Sequence, residues 1–162
     1  MESVASCLGA YAKRVDPERV ALWVATGLLH DLDFERHPTA EEHPFVCVEY
    51  LKTRDDVSAE VINAILAHAD YSGVPRETPL AHYLFACDEL AGFIVACARV
   101  RPNGIGDLTA KSVRKKLKNI KFAAAVDRDD IQRGADELGM DLNDHIEACI
   151  EALRADRELL GI

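Results

Sequence analysis

The chain is 162 residues long, 49% hydrophobic and 29% charged, a globular composition that excludes a wholly disordered chain. Its nine Gly and six Pro exclude fibrous and low-complexity classes, and its length suits one domain that folds without a disulfide or metal staple. With 19 Lys and Arg against 28 Asp and Glu the formal charge is −9, so nucleic acid and anionic membranes are repelled overall and any anion-binding site is a local exception.

The five cysteines, Cys7, Cys47, Cys87, Cys97 and Cys149, are odd in number, widely spaced and contain no CxxC. Most sit among apolar neighbours, which predicts free thiols in a reducing compartment and argues against a zinc ribbon. The N-terminus, MESVASCLGAYAKR, lacks the basic start and apolar run of a signal peptide. The longest charge-free apolar run, Val20–Leu29, is shorter than the roughly 18 residues of a membrane span. The expectation is a cytoplasmic protein without a membrane segment.

In chain order, Asp16-Pro17-Glu18 predicts an N-cap followed by proline in the first turn of a helix. That helix runs through VALWVATGLLH, whose apolar residues cover nearly its whole circumference, so a central buried helix is expected. A second starts at His43-Pro44, and Ser58 caps a third, AEVINAILAHA, with Val61, Ile65 and His68 on one stripe. The segment DYSGVPRETP is a loop, after which Thr78 caps the long apolar helix PLAHYLFACDELAGFIVACARV. Another loop, RPNGIGD, precedes a basic helix, AKSVRKKL, starting at Thr109. Asp127 and Asp141 cap two closing helices, Gly139 ends the first of them, and Ile146, Cys149, Ile150 and Leu153 share a face of the second. No run of strict alternation predicts a strand. The pattern describes a single all-α domain spanning residues 1–162, a bundle of about six to eight helices.

Charged or titratable residues lie where this pattern says core. His30-Asp31 closes an apolar helix, His68 ends an apolar stripe, and Asp88 has Ala81, Leu84, Phe85, Ala91, Gly92 and Val95 as its helical neighbours. A buried carboxylate costs several kcal/mol unless something positive neutralises it, and between Lys52 and Arg99 the only cations are Arg54 and Arg76. Taken singly, a helix-end His is a cap, and Asp88 is as well served by core hydrogen bonds as by a metal. Jointly, carboxylates and imidazoles from separate helices are the ligands of a hard divalent cation that leaves positions open to water and substrate.

The runs LLHDLDFE, EEHP, AILAHADYSGVPRETPL, FACDELAGFI and KSVRKKLKNIKFAAAVDRDDI together resemble the HD-domain superfamily, and more narrowly a group of small bacterial predicted HD-superfamily hydrolases. The resemblance covers almost the whole chain. It implies an all-helical fold and a divalent cation of the Mg, Mn, Fe, Zn, Co or Ni class. By the family pattern His30 and Asp31 match the central His-Asp pair and Asp88 the closing Asp. His43 and His68 match two further histidines that hold a second ion in some members, with Asp31 bridging, so one or two ions are implied. The pattern also has a first His on the helix before the pair. MESVASCLGAYA contains none, which places that ligand at or before Met1, on a first helix truncated here, or marks it as lost.

The resemblance implies hydrolysis of a phosphoester in a small phosphorylated molecule such as a nucleotide, with Asp31, His43 and His68 in the catalytic group. His43 and His68 are then second-metal ligands, or groups that orient the substrate or protonate the leaving oxygen. Phosphate contacts are expected from Arg76 and from the basic segment holding Lys111, Arg114, Lys115, Lys116, Lys118 and Lys121, with Lys111 and Lys115 on one helical face. The plainer reading of the same segment, a solvated face balancing Asp127, Asp129 and Asp130, weighs slightly more. His37, His82 and His145 are expected at the surface or in packing, and Trp23, Tyr83, Phe85 and Phe93 in the core. Two rival classes remain. A non-catalytic HD-type module would bind a nucleotide or metal to regulate a partner. A nucleic-acid binder is disfavoured by the net charge and the absence of a groove-reading motif. The oligomeric state is left open.

Overall fold

The computed structural model describes residues 1–162. It contains nine α-helices, two short 3-10 turns and no strand, so the all-α expectation holds. Five of the helices start where the cap residues Ser58, Thr78, Thr109, Asp127 and Asp141 place them, and a sixth starts at Phe45, directly after the expected His43-Pro44. Two more, α1 (Glu2–Val15) and the four-residue α9 (Arg157–Leu160), have no side-chain cap, and no local signal announced them.

Contacts divide the chain into two compact units, Met1–Phe85 and Ala86–Ile162. In the first, α1 lies against α2 (Val20–Leu29) through small residues. A Cβ built on Gly27 would sit 2.7 Å from the Ala5 Cα, and one on Gly9 would sit 2.9 Å from a Val24 methyl. The first helix buries Val4, Ala5, Cys7, Leu8, Tyr11 and Ala12. Two expectations are corrected here. Asp16 does not cap α2: its carboxylate accepts from the Trp23 indole N–H at 3.0 Å and pairs with Arg19 at 2.7 Å, while Pro17–Arg19 forms a 3-10 turn. Nor is α2 buried all round. Only Trp23, Thr26 and Gly27 are enclosed, and Leu28 is 42% exposed, because the partners of α2 cover one stripe of it.

After α2 the chain turns into α3 (Phe45–Leu51) and α4 (Ala59–Ala67), the latter capped by the Ser58 hydroxyl accepting from the Val61 N–H. A second 3-10 turn, Asp70–Ser72, opens the loop that Arg76 ties down. The Arg76 guanidinium donates to the Ala67 carbonyl and to Asp70, both at 2.8 Å, and stacks 3.8 Å from the Phe85 ring centroid.

Helix α5 (Pro79–Arg99) begins with the Thr78 hydroxyl accepting from the Ala81 N–H. It has the length and hydropathy of a membrane span, yet 61% of its most apolar window is buried in the protein, as befits a core helix. It carries the core residues Leu84, Leu90, Phe93 and Ile94.

In the second unit, α6 (Ala110–Leu117), α7 (Arg128–Glu137) and α8 (Leu142–Ala155) are capped by Thr109, Asp127 and Asp141, each accepting from first-turn N–H groups as expected. Gly139, at φ +64, follows α7. Ile146, Cys149, Ile150 and Leu153 are all fully buried. All five cysteines are free and buried.

His145 on α8 is fully buried and its Nε2–H donates to the Ala86 carbonyl at 2.9 Å, which makes it a packing residue. Burial holds its pKa below the ordinary value of 6.5. Protonation therefore favours the unfolded chain, so this residue's contribution is intact above about pH 6.5 and is lost as pH falls below it. Stability measured by urea unfolding between pH 7 and 5 should fall more steeply in the wild type than in His145→Gln, by up to ~1.4 kcal/mol per pH unit. Equal slopes would remove His145 from the acid response.

Candidate metal centre

Helix ends deliver the candidate residues of the first unit. His30 is the C-cap of α2 and His68 the C-cap of α4. Carbonyls of a helix's last turn lack intrahelical donors, and each imidazole folds back onto the one three residues before it. His30 Nδ1–H donates to the Gly27 carbonyl at 2.8 Å, and His68 Nδ1–H donates to the Ile65 carbonyl. His43, two residues before the start of α3, donates Nδ1–H to the Asp33 carboxylate at 2.7 Å. Carbonyl and carboxylate oxygens only accept, so Nδ1 carries a proton in all three rings and, in the neutral imidazole, Nε2 presents a lone pair.

Those nitrogens converge on Asp31. One carboxylate oxygen, Oδ1, lies 3.4 Å from His43 Nε2 and 3.7 Å from His68 Nε2, and the other, Oδ2, lies 3.3 Å from His30 Nε2. His43 Nε2 and His68 Nε2 are 3.2 Å apart, lone pair facing lone pair. His30, His43 and His68 are buried, while the Asp31 side chain is 29% exposed, so the cluster opens to solvent at its carboxylate. The rings pack edge to face, His30 and His43 each against His68, and Phe34 closes over His43.

This donor set fits a divalent cation. Ligands about 2.1 Å from an ion and 90–109° apart lie roughly 3.0–3.4 Å from one another, close to the separations around Asp31 Oδ1. The ligating atoms of Asp31, His43 and His68 all fall within 4.8 Å of one another. A positive charge among them turns the opposed lone pairs into ligands. Beside the cluster, burial foremost, with Asp33 adding to it, pushes the Cys47 thiol up to about 11.

Sequence reasoning missed Asp33. Its side chain is 2% exposed, and its second oxygen accepts from the Cys47 N–H at 2.7 Å. The available signal was a second acid two residues after the His-Asp pair, in HDLDFE.

The remaining candidates are placed as follows. Asp88 lies on α5, three residues beyond the first unit, and is half-buried. This corrects the expectation of a fully enclosed acid: Asp88, Gly92, Val95 and Arg99, spaced by four, three and four residues, form the least buried stripe of the helix. Arg76 is fixed one residue from His68 through its bond to the Ala67 carbonyl. Lys111 and Lys115 are exposed on α6 of the second unit, where Lys115 joins Arg101 and Lys116 around a cleft of about 490 Å³.

An all-helical chain that gathers imidazoles and a carboxylate at its helix ends has the make-up of a metal-binding helical protein. The family model of the HD domain matches residues 1–92. The chain belongs to the HD-domain family, placed within a superfamily of metal-dependent hydrolases that bind divalent cations. No curated protein and no solved structure gives a significant match.

Proposed function

We propose that the protein is a divalent-metal-dependent phosphohydrolase that cleaves a phosphoester in a small phosphorylated molecule, such as a nucleotide. The observation that carries the reading is the orientation of Asp31, whose two oxygens face different imidazoles, Oδ1 towards His43 and His68 and Oδ2 towards His30. A carboxylate so disposed can bridge two cations, as in paired-metal hydrolytic sites. In this proposal His43 and His68 would hold one ion and His30 the other, and Asp88 is assigned to the ligands by the family pattern alone.

A divalent cation, when bound, lowers the pKa of coordinated water and polarises a phosphoryl oxygen. The chain's own groups hold the geometry. Because Nδ1 of His43 and His68 is committed to Asp33 and Ile65, their Nε2 lone pairs are set to bind a cation, which favours the ligand role over protonation of the leaving oxygen. Arg76, Lys111 and Lys115 are the proposed phosphate contacts, the two lysines on charge alone.

Metal counting and turnover test the reading together. Purified protein should hold about two divalent ions per chain and hydrolyse at least one of a panel of nucleoside monophosphates, cyclic nucleotides and sugar phosphates. His43→Ala and His68→Ala should each lower the content to about one. Hydrolysis equally fast after chelation, or no retained metal, would overturn the proposal. Thermal stabilisation by a nucleotide with no turnover would identify the regulatory module instead.

A further inference from the structure

We propose that Asp33 is a positioning residue for this centre: its carboxylate locks the His43 imidazole as the Nδ1–H tautomer and aims Nε2 at Asp31 and His68. The proposal rests on the reading of His43 as a ligand, and its test separates the two. Asp33 is held on two sides. Its Oδ1 accepts from His43 Nδ1–H and its Oδ2 from the Cys47 N–H, each at 2.7 Å. Cys47 stands at the third position of α3, and the residue preceding that helix, Pro44, offers no side-chain acceptor. Asp33 thus caps α3 from 14 residues away and orients the histidine at the same helix start.

The two donors need two acceptor oxygens, and among neutral or charged side chains of this size only a carboxylate offers both. His30 and His68 take their Nδ1 acceptors from their own helices. His43 precedes its helix, and its acceptor is instead the side chain of Asp33, ten residues back in the chain. A carboxylate behind an imidazole also makes the exposed nitrogen a stronger ligand, and losing such a partner weakens metal binding by about 10–100-fold.

Asp33→Asn separates positioning from capping. The amide oxygen can keep the Cys47 N–H, leaving the NH₂ group to face His43 Nδ1. Two donors then oppose each other, and the ring relieves this by moving its proton to Nε2, where the lone pair is lost. The probe is nitrogen-15 NMR of histidine-labelled, metal-free protein, with the His43 signals assigned from His43→Ala. Wild type should show the Nδ1–H form and Asp33→Asn the Nε2–H form. Titration with Mn²⁺ should show one ion bound about 10–100-fold more weakly in the variant and the other unchanged. A wild-type His43 protonated at Nε2, or an Asp33→Asn protein with unaltered tautomer and affinity, would overturn the proposal and leave Asp33 as a helix cap. Should the variant not fold, the wild-type tautomer alone decides. If the tautomer switches as described but the wild type binds no metal, Asp33 keeps its role and the metal-centre reading fails.

Discussion

Asp31→Asn should empty the site of both ions at once. The amide has nearly the shape of the carboxylate but no charge and a single acceptor oxygen. Asp31 is the one side chain whose two oxygens separately face His43 with His68 and His30. Neutral imidazoles alone attract a cation far less than a set including an anion, so the loss should exceed the roughly hundredfold upper end seen on removing an outer partner of a ligand. After desalting, metal content should fall to near zero, and hydrolysis with it. Helical content should persist, since Asp31 is 29% exposed and makes no helix cap. Thermal stability gives a second readout. Added metal at about 100 times its Kd should stabilise the wild type by ~2.7 kcal/mol and leave Asp31→Asn unmoved. Retention of both ions by the variant would end the bridging model.

Gly27→Val should give the largest loss of stability. A Cβ at this position would lie 2.7 Å from the Ala5 Cα and 2.8 Å from the Ala5 nitrogen. Both are backbone atoms, so α1 and α2 must separate instead of a side chain swinging aside. Overpacking of this kind costs about 1–3 kcal/mol and at times more, which for a chain of this size lowers the melting temperature by roughly 2–4 °C per kcal/mol. The damage should reach the site, because the Gly27 carbonyl is the acceptor that holds His30 at 2.8 Å. Gly92→Ala is the control: a Cβ there meets nothing within 4 Å, and relief from glycine's entropy should leave stability unchanged or raised by up to ~1 kcal/mol. Equal melting temperatures for the two variants would show that α1 and α2 do not depend on this close approach.

Much of the fold was legible because its signals are local. Ser58, Thr109, Asp127 and Asp141 cap the helices their positions announced, since a cap needs only the next three residues. Asp16 misled for the complementary reason. It has the right chemistry and a following proline, yet Trp23 and Arg19 claim its carboxylate, a competition that depends on how the chain packs. The apolar circumference of α2 likewise describes what the helix could bury, while its neighbours determine what it does bury.

By itself the sequence determined the all-helical class, most helix starts, and the set of imidazoles and carboxylates that the family pattern singles out. Periodicity, capping and motif order are properties of neighbouring residues. Only the tertiary structure decided that Asp31 divides its oxygens between His30 and the pair His43 and His68, that Asp33 stands behind His43, and that Asp88 lies on a half-open stripe. Those are facts about the direction in which a lone pair or an oxygen points, and direction is set by packing between segments distant in the chain.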